Sequence, residues 1–74
     1  MEYSMKIVFE FEFEHILEKN TFIDQCYDYT QCTIEEINDL RIKVFCEDWE
    51  VAEVLEEFVK KLPFDIIEWS NYAH

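Results

Sequence analysis

The sequence predicts an α+β domain: an antiparallel sheet of three or four strands with one amphipathic helix, about residues 48–62, packed on one face. Residues 6–14 alternate between apolar and acidic side chains, which is a strand pattern. Residues 48–62 repeat apolar side chains at helical spacing. A chain of 74 residues has room for one hydrophobic core, so we expect residues 1–74 to form a single domain.

The strand at 6–14 is the clearest element. Three phenylalanines fall on one face and three glutamates on the other, namely Phe9, Phe11 and Phe13 against Glu10, Glu12 and Glu14. This period of two indicates a strand with one buried and one wet face, which antiparallel sheets allow.

The helix at 48–62 has recognisable ends, because Asp48 suits an N-cap and Pro63 stops the helix. Its apolar stripe consists of Val51, Val54, Leu55, Phe58, Val59 and Leu62. The opposite side carries Glu50, Glu53, Glu56, Glu57, Lys60 and Lys61. We expect Glu56–Lys60 and Glu57–Lys61 to pair at i,i+4 and to neutralise part of this side.

Two further strands are predicted, at 40–47 and at 64–70. In the first, Arg41 and Lys43 share a face that suits a position opposite the glutamates of the first strand. The open face of the sheet is expected to be partly exposed and acidic.

The segment 15–39 is ambiguous. Residues 15–20 suit a helical turn and residues 26–30 suit a strand. Residues 33–36 have the form of a capping box, which favours a short helix. A β-hairpin turning at Asn38 and Asp39 is the alternative.

The charge of the chain is its most informative functional feature. Eighteen Asp and Glu stand against six Lys and Arg, for a net charge of -12. Solubility needs a magnitude of only about 2–8 in a small domain. Nucleic acid and anionic membranes repel such a surface, so we expect a basic protein as partner and direct contact with neither of those. The chain has no glycine, which argues against Gly-rich phosphate loops.

The expected compartment is the cytoplasm. Charged residues interrupt the first twenty positions, so no signal-peptide core is present, and no apolar run approaches the ~20 residues of a membrane span. Three cysteines are an odd number for a disulfide scaffold and fit a reduced thiol set.

Metal binding and catalysis find no support in the residue spacing. Cys26 and Cys32 lack the close pairing of structural zinc ligands, and His15 and His74 share no local motif with a cysteine. No calcium loop and no nucleophile-elbow serine is present. We therefore expect no metal, no cofactor and no enzymatic activity.

Two acidic rows are the candidate binding residues. Alternate strand residues lie about 6.7 Å apart, so Glu10, Glu12 and Glu14 form a linear row, here called the strand row. Three glutamates of the helix form the second, here called the helix row: Glu50, Glu53 and Glu57. Trp49 lies beside the helix row, and an aromatic ring among carboxylates is typical of a hot spot for an Arg- or Lys-rich partner. We expect the strand row to dominate, because lysines neutralise part of the helix. The alternative is that both rows are ordinary solvated faces.

The motifs F-E-F-E-F-E at 9–14 and D-W-E-V-A-E-V-L-E-E at 48–57, in so small and glycine-free a chain, support a resemblance at the level of a class. The chain resembles small phage-encoded inhibitors of bacterial defence, including anti-CRISPR proteins and DNA mimics. It is equally similar to small acidic immunity proteins that neutralise nuclease toxins. Both resemblances imply a protein that occupies a basic surface normally holding nucleic acid, and neither assigns a role to a residue.

The leading hypothesis is therefore a non-enzymatic inhibitor of a nucleic-acid-binding protein, of the anti-CRISPR or DNA-mimic type. An immunity protein or antitoxin against a nuclease is the nearest alternative. A self-associating adaptor is the third, because two Trp, four Tyr and seven Phe leave aromatic surface for a homodimer.

Overall fold

The computed structural model describes residues 7–30 and 32–73. Residues 72 and 73 are described by their backbone alone. Its elements are β1 (Ile7–Glu12), α1 (Ile16–Tyr29), β2 (Thr33–Glu36), β3 (Arg41–Cys46), α2 (Trp49–Lys60) and β4 (Glu68–Ala73). The strands form one antiparallel sheet in the order β2-β3-β1-β4. The predicted α+β fold is confirmed, with a second helix that the sequence did not reveal. Lys6, the predicted start of the first strand, lies outside the described residues.

The hydrophobic core lies between the sheet and the two helices. In the pairing of β1 with β3, Phe9 stands opposite Val44 and Phe11 opposite Ile42, and all four are fully buried. Phe22 of α1 joins the layers, with its ring centroid 5.0 Å from that of Phe11 and 5.1 Å from that of Phe58 in α2. Such tilted aromatic pairs are favourable beyond the area they bury.

Helix α2 begins where the sequence predicts. The Asp48 side chain accepts a hydrogen bond from the backbone N–H of Val51 at 3.0 Å, so Asp48 is the N-cap. Ala52, Leu55 and Phe58 are buried, and the stripe is confirmed in outline. Val54, expected in the stripe, is 41% exposed.

Helix α1 replaces the turn and strand predicted within 15–39. It covers residues 26–29 of the segment 26–30 predicted as a strand and ends at Tyr29, so that prediction is wrong. Its first turn has no side-chain cap, because His15 occupies the N-cap position. Its buried residues are few and include a lysine: Lys19, Phe22 and Cys26. A narrow stripe without a start signal explains why the periodicity was not visible.

A hairpin, not a short helix, follows α1. Residues 33–36 form β2, which pairs antiparallel with β3. Asn38 closes the turn, since its side-chain oxygen accepts from the backbone N–H groups of Leu40 and Arg41, both at 2.9 Å. The capping-box interpretation is wrong here, because the β-branched residues Thr33 and Ile34 pair with β3 instead of opening a helix.

The last strand begins later than predicted. Residues 61–67 connect α2 to the sheet, and β4 starts at Glu68, opposite Glu12, so residues 64–67 are not part of the strand. Phe64 packs its ring edge against Phe13, with centroids 6.3 Å apart. The apolar residues of this segment therefore fill the end of the core before the strand begins.

The open face of the sheet mixes both charge signs. Lys43 stands opposite Glu10 and also opposite Glu35, and Arg41 stands opposite Glu12. The prediction that the two cations lie across from the first strand is confirmed. Carboxylates outnumber cations on this face. Arg41 and Lys43 of β3 lie between the glutamates of β1 and Glu35 of β2.

Candidate functional site

The strand row does not form a free acidic edge. Glu10 and Glu12 lie on the central strand β1, are half-buried, and face the cations of β3. Arg41 Nε lies 3.6 Å from Glu12 Oε1. A partner reaching these carboxylates would meet Arg41 and Lys43 at the same time.

Glu14 is separated from the other two. Strand β1 ends at Glu12, so Glu14 lies in the bend before α1. It is exposed, and its Oε1 lies 3.9 Å from Nε2 of the neighbouring His15. The structure therefore does not bring the three residues together as a straight row of equal spacing.

The helix row lies on the solvent side of α2. The Asp48 cap starts the helix at Trp49. Burial of Ala52, Leu55 and Phe58 on the core side of the helix leaves Glu50, Glu53 and Glu57 on the outer side. All three glutamates are exposed. None of the ion pairs formed within residues 7–30 and 32–73 involves them.

The expected pairing with Lys60 and Lys61 is absent from these ion pairs. Exposed i,i+4 pairs contribute only about 0.2–0.5 kcal/mol, so the fully hydrated side chains have little reason to meet. The premise for ranking the strand row above the helix row, neutralisation of the helix row by these lysines, is therefore not supported by the ion pairs of the described residues.

Trp49 lies at the start of the helix row and is 62% exposed. Position 53 is one turn further along the same side of the helix, which places Glu53 next to the indole. An exposed indole beside carboxylates can accept a cation on its ring face while the carboxylates bind it through hydrogen bonds.

A shallow cleft of about 630 Å³ runs along the helix row. Its lining consists of Tyr29, Glu50, Glu53, Val54, Glu56, Glu57 and Lys61. The lining combines apolar surface from an aromatic ring and a valine with four carboxylates and one ammonium group, so acidic groups predominate. A basic side chain with an aliphatic stem fits such a groove, because the stem packs on carbon and the charge meets oxygen.

A second cleft of about 340 Å³ lies between the C-terminal ends of the two helices. Gln25, Asp28, Tyr29, Phe58, Lys61 and Leu62 line it. Tyr29 belongs to both clefts, and its ring centroid lies 5.5 Å from that of Phe58. The apolar strip beside the helix row therefore continues into the groove between α1 and α2.

The residues that the sequence did not identify are Tyr29 and Val54. Val54 was assigned to the buried stripe, but it lies at the edge of that stripe. Tyr29 is the last residue of α1, and without α1 nothing placed it beside α2.

No protein-family model, curated protein or solved structure matches this chain. Neither α1 nor α2 has the length and apolar character needed to cross a bilayer. Within the described ranges, no group of three or more His, Cys, Asp or Glu side chains is arranged to hold a metal ion.

Proposed function

We propose that this protein is a non-enzymatic inhibitor that binds the basic, nucleic-acid-binding surface of another protein, of the anti-CRISPR or DNA-mimic type. The observation that carries the proposal is the outer side of α2, where Trp49 and the helix row are exposed together. The net charge of -12 also favours a positively charged partner for the molecule as a whole. Repulsion disfavours nucleic acid and anionic membranes as direct partners.

The binding mechanism has two stages. The field of the whole chain accelerates the encounter with a cationic groove. Arginine or lysine side chains of the partner then enter the cleft along the helix row, with their stems against Tyr29 and Val54 and their charges at the glutamates. The apolar contact supplies the slow dissociation that electrostatics alone does not give.

The proposed site of action is the cytoplasm, where nucleic-acid-processing enzymes are found. An immunity protein or antitoxin against a basic nuclease would use the same surface in the same way. The identity of the partner, not the chemistry of the interface, separates these two functions.

The test is competition with nucleic acid. Purified protein is titrated into candidate basic effectors and nucleases that hold a fluorescent oligonucleotide, and anisotropy reports displacement. We expect displacement, with an association rate that falls clearly when salt rises from about 50 to about 200 mM. Simultaneous binding of protein and oligonucleotide, or a rate indifferent to salt, would contradict the proposal.

A self-associating adaptor is the second candidate, because one end of the sheet exposes apolar side chains. Ile37 and Leu40 flank the β2–β3 turn, and Ile67 donates its backbone N–H to the Glu12 carbonyl at the same end. Light scattering separates this function from the inhibitor. A dimer that disappears in the Ile67→Ser variant would favour the adaptor.

A further inference from the structure

Two buried thiols face each other at the outer edge of the sheet. Cys32 directly precedes β2 and Cys46 ends β3. The register pairs Thr33 with Phe45 and Ile34 with Val44, so its next step sets Cys32 opposite Cys46. Their sulfur atoms lie 3.4 Å apart, and both cysteines are free.

The third cysteine, Cys26 of α1, is hydrogen-bonded to Thr30. Its sulfur lies 3.3 Å from the Thr30 hydroxyl, and that hydroxyl donates to the Cys26 carbonyl at 3.0 Å. Hydrogen bonds from Cys26 and Cys46 lower the pKa of Cys32 below its usual range, because both neighbours stabilise the thiolate. The bond to Cys32, followed by burial, raises the pKa of Cys26 and of Cys46.

We propose that Cys32 and Cys46 form a reversible disulfide when the protein meets hydrogen peroxide, with Cys32 as the thiol that reacts first. Directly opposed residues of an antiparallel pair have Cα atoms about 4.5–5.5 Å apart. That separation lies within the range of about 4.4–6.8 Å that a disulfide requires. The backbone can therefore stay in place while the two sulfur atoms approach.

The position of Cys32 also allows a small oxidant to reach it. In the part of the chain that the structure describes, β2 is an edge strand and pairs with β3 alone. Cys32 is 6% exposed, whereas Cys26 and Cys46 are fully buried. A peroxide molecule therefore meets Cys32 before it meets either of the other thiols.

The reaction balances with hydrogen peroxide as the sole oxidant. The Cys32 thiolate attacks one peroxide oxygen, the O–O bond breaks, and the departing hydroxide takes a proton to become water. The resulting sulfenic acid is attacked by Cys46, the S–S bond forms, and the second oxygen leaves as water. Two thiols lose two hydrogen atoms, and one peroxide is reduced to two waters.

The disulfide would join the start of β2 covalently to the end of β3. Strand β2 has only four residues, and three of them are exposed. A bond between Cys32 and Cys46 closes the hairpin at its open end and restricts the unfolded chain. We expect the backbone N–H groups of β2 to exchange with solvent more slowly after oxidation, while those of β1 change little.

The first test is a peptide map. The intact chain is treated with hydrogen peroxide, free thiols are alkylated in acid-quenched denaturant, and the peptides are analysed by mass spectrometry without reductant. We expect a linked peptide pair containing Cys32 and Cys46, an alkylated Cys26, and return of all three thiols after reduction with dithiothreitol. A Cys26–Cys32 link, or three alkylated thiols, would overturn the proposal.

Matched variants give the second test. The Cys26→Ser variant should still form the link between Cys32 and Cys46, at a lower rate because Cys32 loses a neighbour that lowers its pKa. The Cys46→Ser variant should instead leave a sulfenic acid on Cys32 that a dimedone probe captures. Loss of the link in Cys26→Ser, with circular dichroism showing a folded chain, would contradict the assignment. The wild-type peptide map decides the matter if a variant does not fold.

Discussion

Arg41 of β3 and Glu12 of β1 occupy directly opposed positions on the open face of the sheet, with 3.6 Å between Nε and Oε1. Two residues further along β3, Lys43 stands directly opposite Glu10 in the same register. The glutamates of β1 are therefore part of the charge pattern that pairs two neighbouring strands. This makes them contributors to the sheet before they are candidates for binding a partner.

The first prediction concerns charge reversal in β1. The sequence alone suggests that lysines at the three strand-row positions would leave folding intact. The structure predicts instead that Glu10→Lys with Glu12→Lys lowers the free energy of unfolding by about 1–2 kcal/mol, because like charges would stand opposite each other on paired strands. Urea unfolding followed by circular dichroism measures this. The Asp39→Lys variant with Asp65→Lys is the control, because it makes the same change of charge at exposed loop positions outside the sheet, and equal stability of both doubles would contradict the prediction.

The second prediction concerns the N-cap of α2. Replacing Asp48 with Ala should cost about 1 kcal/mol, because the N–H of Val51 loses its acceptor. The Asp48→Asn variant removes the same charge but keeps an oxygen that can accept this bond. We expect the Asn variant to retain most of the stability in urea unfolding. Equal losses in both variants would mean that the charge, not the hydrogen bond, matters.

The third prediction concerns Lys19, which is only 3% exposed and bonds through its Nζ to Oε1 of Glu36. This contact ties α1 to the edge strand β2. The Glu36→Gln variant leaves a buried ammonium without its carboxylate and should cost about 1–2 kcal/mol, a value reduced because the Glu36 side chain is itself largely exposed.

The Lys19→Met variant is the informative counterpart. It keeps the buried stem and removes the charge, so it should cost less than Glu36→Gln in the same urea titration. A larger loss for Lys19→Met would mean that the ion pair is net stabilising and that the desolvation argument is wrong.

The sequence predicted well those elements whose signals are local. The alternation at 9–13 and the cap at Asp48 each fix a strand or a helix within a few residues. The alternation at 40–47 and the opposite charges of the two segments predicted that Arg41 and Lys43 lie opposite β1, and the register confirms this.

The missed features depend on tertiary contacts. Helix α1 is held by Phe22 and Cys26 against the rest of the core, and its own periodicity is weak. The cleft beside the helix row could not be predicted without α1, because Tyr29 reaches α2 only through that helix. Likewise the loss of the straight strand row follows from where β1 ends, because Glu12 is its last residue and Glu14 lies in the bend before α1.

The central claim is that the outer side of α2 is the binding face, and one paired titration tests it most directly. The variant with Glu50→Gln, Glu53→Gln and Glu57→Gln is compared with a control that carries Glu35→Gln, Asp39→Asn and Glu68→Gln. Both remove three exposed negative charges, so the loss of long-range attraction is the same in each, and circular dichroism checks that both fold.

Binding to the basic partner identified by oligonucleotide displacement is then measured for both proteins at the same salt concentration. The account predicts that the helix-row variant binds more weakly than the control by a factor of about ten or more, which corresponds to about 1.4 kcal/mol spread over three contacts. Equal affinities for the two folded variants would contradict it.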